Sequence, residues 1–231
     1  MNSSAFDRLF AEGREALLSG SYKMESAPVD GVARWGIGAV LRPDPVAAQA
    51  IEQVTVAVAG IVGDNHWLPG TVRSSHLTLR RGLEPYRSSV PVGDPLIARY
   101  SAALRTAVNG TGPLRFSVIG LTLTPVSVMA CAVPADTGPD DLVEAYGRAL
   151  SAEGCGLAGR APDIWYLNLV YFTGPVRDAQ ALTEWIAARR EAYVTNLQVT
   201  DIQLVRWHHT NTGMAPEVLT AVKPHQPGET I

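Results

Sequence analysis

The sequence predicts an α+β fold built from two similar halves, with two antiparallel-type sheets around a central cleft. Three observations carry this. Apolar stripes at helical spacing alternate along the chain with runs of period-two hydrophobicity. The order strand, helix, strand, helix, strand occurs twice, over about 35–123 and 126–207. The 231 residues, 46% hydrophobic and 18% charged, suffice for one large domain or two small lobes with a sizeable core. The expected organisation is an N-terminal helix and connector (1–34), a bilobal domain (35–222) and a C-terminal tail (223–231).

Phe6, Leu9, Phe10, Leu17 and Leu18 place a helix over about 5–18, closed by Ser19-Gly20. Trp35 to Leu41 reads as a strand whose glycines mark a close backbone approach or a bend. Asp44-Pro45 and Asp94-Pro95 each offer a capping carboxylate followed by a proline for the first turn. The first opens a helix carrying Ile51, Val54, Val58, Ile61 and Val62, with a buried strand as the alternative because so much of it is β-branched. The second opens a stripe of Leu96, Ile97, Tyr100, Leu104 and Val108, stopped by Asn109-Gly110. Strands are expected over 74–81, 114–123, 126–133 and 164–172, and helices over about 138–154 and 178–193. Ile202 to Trp207 is the last clear strand, and Val218 to Val222 a short edge strand.

A net charge of −3 argues against broad coating of nucleic acid, which needs a strongly basic face, but leaves room for a small nucleotide or an RNA end in a local basic pocket. Cys131 and Cys155 are too few for a disulfide framework and read as small fillers, and no metal-ligand spacing of Cys and His appears. No apolar run reaches the ~18 residues of a membrane span, and Asp7, Glu12 and Glu15 break up the N-terminus, so the cytoplasm is the expected compartment.

The stretch Ser74-Ser75-His76-Leu77-Thr78-Leu79-Arg80-Arg81 carries the chemistry. Alternation puts His76, Thr78 and Arg80 on one face and Leu77 and Leu79 on the other. An imidazole, a hydroxyl and a guanidinium in a row suit a cleft that handles phosphate, the first moving a proton and the others holding anionic oxygens. The plain alternative is a chance pattern, with Arg80 in a surface ion pair. Sliding the second half over the first sets Tyr166 and Asn168 where His76 and Thr78 stand, ninety positions later.

A His-x-Thr-Leu strand after the first long helix of a duplicated plan resembles the two-histidine phosphoesterases, which include the 2′-5′ RNA ligase and cyclic phosphodiesterase proteins. The resemblance covers the element order from about Trp35 to Trp207, and His76-Leu77-Thr78-Leu79 is its one sharp motif. It implies proton transfer by His76, phosphate binding by Thr78, no metal or cofactor, and a small phosphorylated ligand, nucleotide or RNA end as partner. It also implies a second His-x-Thr or His-x-Ser, where this chain has Tyr166 and Asn168. Asparagine still donates to a phosphate oxygen, whereas a phenol keeps its proton at neutral pH and serves as donor or acid rather than base. A catalytically impaired binding module, or a fold turned to another small-molecule reaction, therefore stand beside the enzyme. His208-His209-Thr210 is itself a His-x-Thr, 132 positions after His76, but it falls at the end of the last strand in an expected loop, so element order favours Tyr166 and Asn168. His66 in the preceding loop and His208 or His209 are the other candidates for the cleft rim. Trp165 and Trp207 are candidates to stack on a base, with a buried core role favoured for both.

Overall fold

The expected alternation of strands and helices is present in the computed structural model, which describes residues 3–156 and 158–225. In chain order the elements are α1 (Ser3–Ser19), β1 (Ile37–Pro43), α2 (Pro45–Val62), β2 (Leu77–Glu84), α3 (Pro95–Val108), β3 (Arg115–Leu123), β4 (Ser127–Pro134), α4 (Gly138–Ala152), β5 (Trp165–Tyr171), α5 (Ala179–Ala187), β6 (Tyr193–Thr210) and β7 (Gly213–Val222). Both aspartate–proline starts act as caps: Asp44 accepts from the amides of Val46 and Ala47, and Asp94 from those of Leu96 and Ile97.

The strands pair antiparallel in the order β2-β1-β6-β3-β4-β5, with β7 on β6. β6 makes this one path. Its first half, Tyr193 to Gln198, pairs with β3, and its second half, Val199 to Val205, pairs with β1. The two expected sheets are therefore one seven-stranded path in which the sequence halves exchange strands: β3 of the first half lies between β4 and β6 of the second, and β6 and β7 of the second extend the sheet of β1 and β2. The motif strands β2 and β5 are the two ends of the path rather than its centre, yet they touch, so the sheet curls until its ends meet.

Helices interlock the halves. α2 leaves β1 but packs on β5, β6 and α5, while α4 leaves β4 and packs on α3. α2 is the one helix among the described residues long and apolar enough to cross a membrane. Here it lies on the sheet, burying Ala47, Ala48, Ile51, Thr55, Val58 and Val62 and turning Gln49 and Gln53 to solvent. The glycines of β1 answer to close approach: a Cβ on Gly36 would stand 1.9 Å from the Glu84 carbonyl oxygen, and one on Gly38 2.8 Å from that of Arg80.

Three expectations are corrected. The last helix ends at Ala187, not near Tyr193. Ala188 to Ala192 has helical composition, but its carbonyls are drawn to β3, with Gly120 N–H donating to Ala192 O and Leu121 N–H to Arg189 O. The last long strand runs from Tyr193 to Thr210 rather than 202–207, so His208-His209-Thr210 is strand, not loop, paired with Ala215, Met214 and Gly213 of β7. β7 is correspondingly longer than Val218–Val222 and tolerates Pro216 because only one of its edges is paired. Of the C-terminal segment, the His225 amide donates to Thr111 O, and 226–231 lie outside the described residues.

Leu204 is fully buried where β1, β6 and β7 meet, opposite Ala39 and Thr220. Truncation to Ala should cost about 2–5 kcal/mol, measured by urea unfolding, and a smaller loss would mean that the shared strand is not the rigid centre of the sheet.

Candidate functional site

A cleft of about 450 Å³ lies where the two ends of the sheet approach, and His76, Thr78, Arg80, Tyr166 and Asn168 all line it. The ninety-residue alignment therefore brings the two motif strands together on one site.

How each side chain reaches the cleft depends on one extra residue in each strand. Along β2, Leu77 and Thr78 oppose Leu41 and Val40, but Ala39 opposes Arg80 rather than Leu79. Along β5, Tyr166 and Asn168 oppose Cys131 and Met129, but Val128 opposes Val170 rather than Leu169. A one-residue bulge reverses the face of everything after it. In β5 this turns Tyr171 into the cleft beside Tyr166 and Asn168. In β2 it does the same for Arg81, which is exposed and has no hydrogen bond or ion pair from its side chain among the described residues.

Arg80 is the casualty of that reversal. It borders the cleft, but its Nε donates to Ala158 O at 2.7 Å and a terminal nitrogen lies 3.6 Å from where a Cβ on Gly147 would stand, close to Tyr146. It ties the loop before β5 to β2. Strict alternation pointed to Arg80; the bulge makes Arg81 the arginine that follows Thr78 on the cleft face. The same ninety-residue step relates Arg81 to Tyr171, and each is bridged to the segment leading into the other strand, Arg81 with Arg160 and Tyr171 with Trp67.

His76 is set as a neutral imidazole. Its Nδ1–H donates to the Ser74 carbonyl at 2.7 Å, which fixes the tautomer and leaves Nε2 as the nitrogen with a lone pair. Its ring lies 4.8 Å from that of Trp207. Burial lowers its pKa to about 4, opposed by the Ser74 bond and helped by the charge of Arg42. Arg42 in turn holds the loop before β2, donating to the carbonyls of Val72, Arg73 and Ser75. Across the cleft, burial and then the neighbouring Tyr166 push the Tyr171 hydroxyl far above the ordinary phenol range, so it remains a donor. The hydroxyls of Thr78, Tyr166 and Tyr171 and the amide of Asn168 have no hydrogen-bond partner among the described residues.

Aromatic rings form one wall. Trp35, held at φ 62°, meets Trp67, Tyr171 and Trp207 edge-to-face at centroid distances of 5.8, 5.1 and 5.9 Å. Trp207 is buried against the cleft, whereas Trp165 is buried in the main core against Phe116. The remaining histidines are elsewhere. His66 donates from Nε2 to Val62 O and accepts the Thr173 amide on Nδ1, stapling the end of α2 to the end of β5. His208 lines a neighbouring groove, and His209 packs on Trp67 at 5.5 Å.

Among solved structures the chain is similar to the protein TT0787 of Thermus thermophilus, with 15% identity and a TM-score of 0.57, covering 83% of this chain and 99% of that one. The two proteins share a fold. A crystal structure of a phosphoesterase (13% identity, TM-score 0.56, 83% and 98% covered) and E. coli LigT complexed with ATP (14%, 0.54, 83% and 98%) are matched in the same way. No protein-family model and no curated protein matches the sequence. Of the two His-x-Thr stretches in the sequence, only His76 lines this cleft, with Tyr166, while His208 lines the neighbouring groove.

The His76 proton resonances should titrate with a midpoint near 4, well below the ordinary histidine value of about 6.5. Removing the nearby charge in Arg42→Gln should raise that midpoint. A midpoint near 6.5 in the wild type would show that the ring is not desolvated. The sign for stability follows: the folded pKa lies below the unfolded one, so His76 costs nothing above about pH 6.5 and loses stability as pH falls from there towards 4.

Proposed function

We propose that the chain is an enzyme acting on a phosphodiester, most simply a 2′,3′-cyclic phosphate at an RNA end or on a nucleotide. The observation that carries this is His76, held in one tautomer with Nε2 free, lining one cleft with the donors Thr78, Tyr166, Asn168 and Arg81. Arg34, Arg80, Arg81 and Arg160 all border this cleft and no Asp or Glu among the described residues lines it, in a chain of net charge −3. Such a surface suits an anion. E. coli LigT, of the same fold, is known in complexes with ATP, 3′-AMP and NADP+, which supports a nucleotide as the ligand.

In this reading Nε2 of His76 takes the proton from an attacking water as its oxygen bonds to phosphorus. Thr78, Asn168 and Arg81 hold the non-bridging oxygens, where charge accumulates in the transition state. Tyr166 donates to the departing ribose oxygen as its bond to phosphorus breaks. The protonated His76 then returns its proton to solvent and the Tyr166 phenolate takes one up, which restores both groups. An imidazole of low pKa is a weak base, but an anionic ligand beside it favours the protonated form and raises that pKa on binding.

Tyr166 favours a second reading. With a phenol in place of the opposing imidazole, the cleft holds a phosphorylated ligand and turnover is lost, leaving a binding module.

A panel of 2′,3′-cyclic nucleotides should be hydrolysed, with His76→Ala lowering kcat by about 10²–10⁴-fold and Thr78→Ala raising KM. Calorimetric binding without turnover would establish the binding module instead. Neither binding nor turnover would overturn the phosphate reading.

A further inference from the structure

The connector between α1 and β1 is a strap across the site rather than a passive link. Its main chain is fixed to both motif strands' far ends: the Glu25 amide donates to Phe172 O just after β5, while Gly31 and Val32 exchange hydrogen bonds with Tyr86 just after β2. Between these anchors it delivers Arg34 and Trp35 into the cleft wall. Trp35 sits in the left-handed region, which an aromatic residue adopts where surrounding structure enforces it. Glu25, its side chain nearly buried, enforces it here: the carboxylate takes Arg34 on two nitrogens and the Trp35 indole N–H at 3.3 Å.

Arg34 does not stand alone. A smaller compartment of about 270 Å³ adjoins the cleft; Arg34, Arg81, Arg160 and Tyr171 border both spaces, as do Thr78, Tyr166 and Asn168, and Asp163, the partner of Arg160, borders the smaller one. The Arg34 guanidinium lies 5.6 Å from the Tyr171 ring centre, and the charges of Arg34 and Arg81 both act on the Tyr171 hydroxyl. Arg34 is matched and held in place by Glu25, and the capacity for a further anion lies with Arg81 and Arg160. The Arg81 side chain has no partner among the described residues, and Arg160 holds Asp163 in an exposed pair at 2.6 Å, the kind that is cheaply exchanged for a ligand. His76, Thr78, Tyr166 and Asn168 suffice to surround one phosphodiester. Arg34 and Arg160 are surplus to it.

Resting on the phosphodiester reading, we infer that Arg34, Arg160 and Tyr171 form a second anion subsite for a phosphoryl group that the ligand carries beyond the scissile one. The substrate class is then a phosphorylated nucleotide rather than a nucleoside cyclic phosphate. Arg81 stands between the two subsites.

Adenosine 2′,3′-cyclic phosphate and the same compound bearing a 5′-phosphate distinguish the cases, each titrated calorimetrically into the full chain and assayed for turnover. The 5′-phosphate should tighten binding by about tenfold or more, the scale of a charge-assisted hydrogen bond. Arg160→Ala, at an exposed position, should bring the affinity ratio of the two ligands close to one, and Arg34→Gln should act in the same direction. Equal affinities in the wild type would overturn the second subsite while leaving the phosphodiester reading standing. So would a preference unchanged in Arg160→Ala. Failure of both ligands to bind would overturn both readings.

Discussion

One strand constrains everything else. β6 gives its first half to one sheet and its second half to the other, so neither half can move or repack without breaking backbone hydrogen bonds in a buried ladder. The curl of the path follows from this shared axis, and the curl brings β2 and β5, its two ends, into contact. The α2 helix reinforces the arrangement by crossing from the strand it leaves to the strands of the opposite half. A cleft between two independent lobes would open and close. A cleft between the ends of one curled sheet is held at fixed width by the sheet itself.

Within that frame the site is set by local devices. The Ser74 carbonyl selects the His76 tautomer, and Arg42 both fixes the preceding loop and adds a positive charge that disfavours imidazolium. The paired bulges after Thr78 and Asn168 then choose which later residues see the ligand. They admit Arg81 and Tyr171 and divert Arg80 to the structural task of holding Ala158. Arg80 and Arg81 are chemically identical, and a one-residue change of register decides which holds structure and which faces the cleft.

The parts legible in the sequence were those written in a single period. The helix caps at Asp44 and Asp94, the alternation through Leu77 to Leu79, and the ninety-residue step from His76 and Thr78 to Tyr166 and Asn168 needed no tertiary information. What escaped was decided by partners distant in the chain. Arg189 to Ala192 looks helical until β3 claims its carbonyls, and the first half of β6 carries only a short alternation, Thr195 and Leu197 buried on either side of the exposed Asn196. The bulges left no mark in composition, because Leu79 and Leu169 are ordinary strand residues. The strap was invisible for the opposite reason: its coil composition is accurate, and its role comes from where its hydrogen bonds end.

The exchange of an imidazole for a phenol at Tyr166 has a geometric meaning as well as a kinetic one. Two like groups facing each other across a pseudo-twofold would let a roughly symmetrical phosphodiester enter either way round, with acceptor and donor trading places. Here the β2 wall presents a ring nitrogen with a lone pair and the β5 wall presents phenols, of which the Tyr171 hydroxyl is held to its proton by burial. The cleft has a head and a tail. On the proposed function, a ligand bound in it would take a defined orientation, set by the difference between His76 on one wall and Tyr166 on the other.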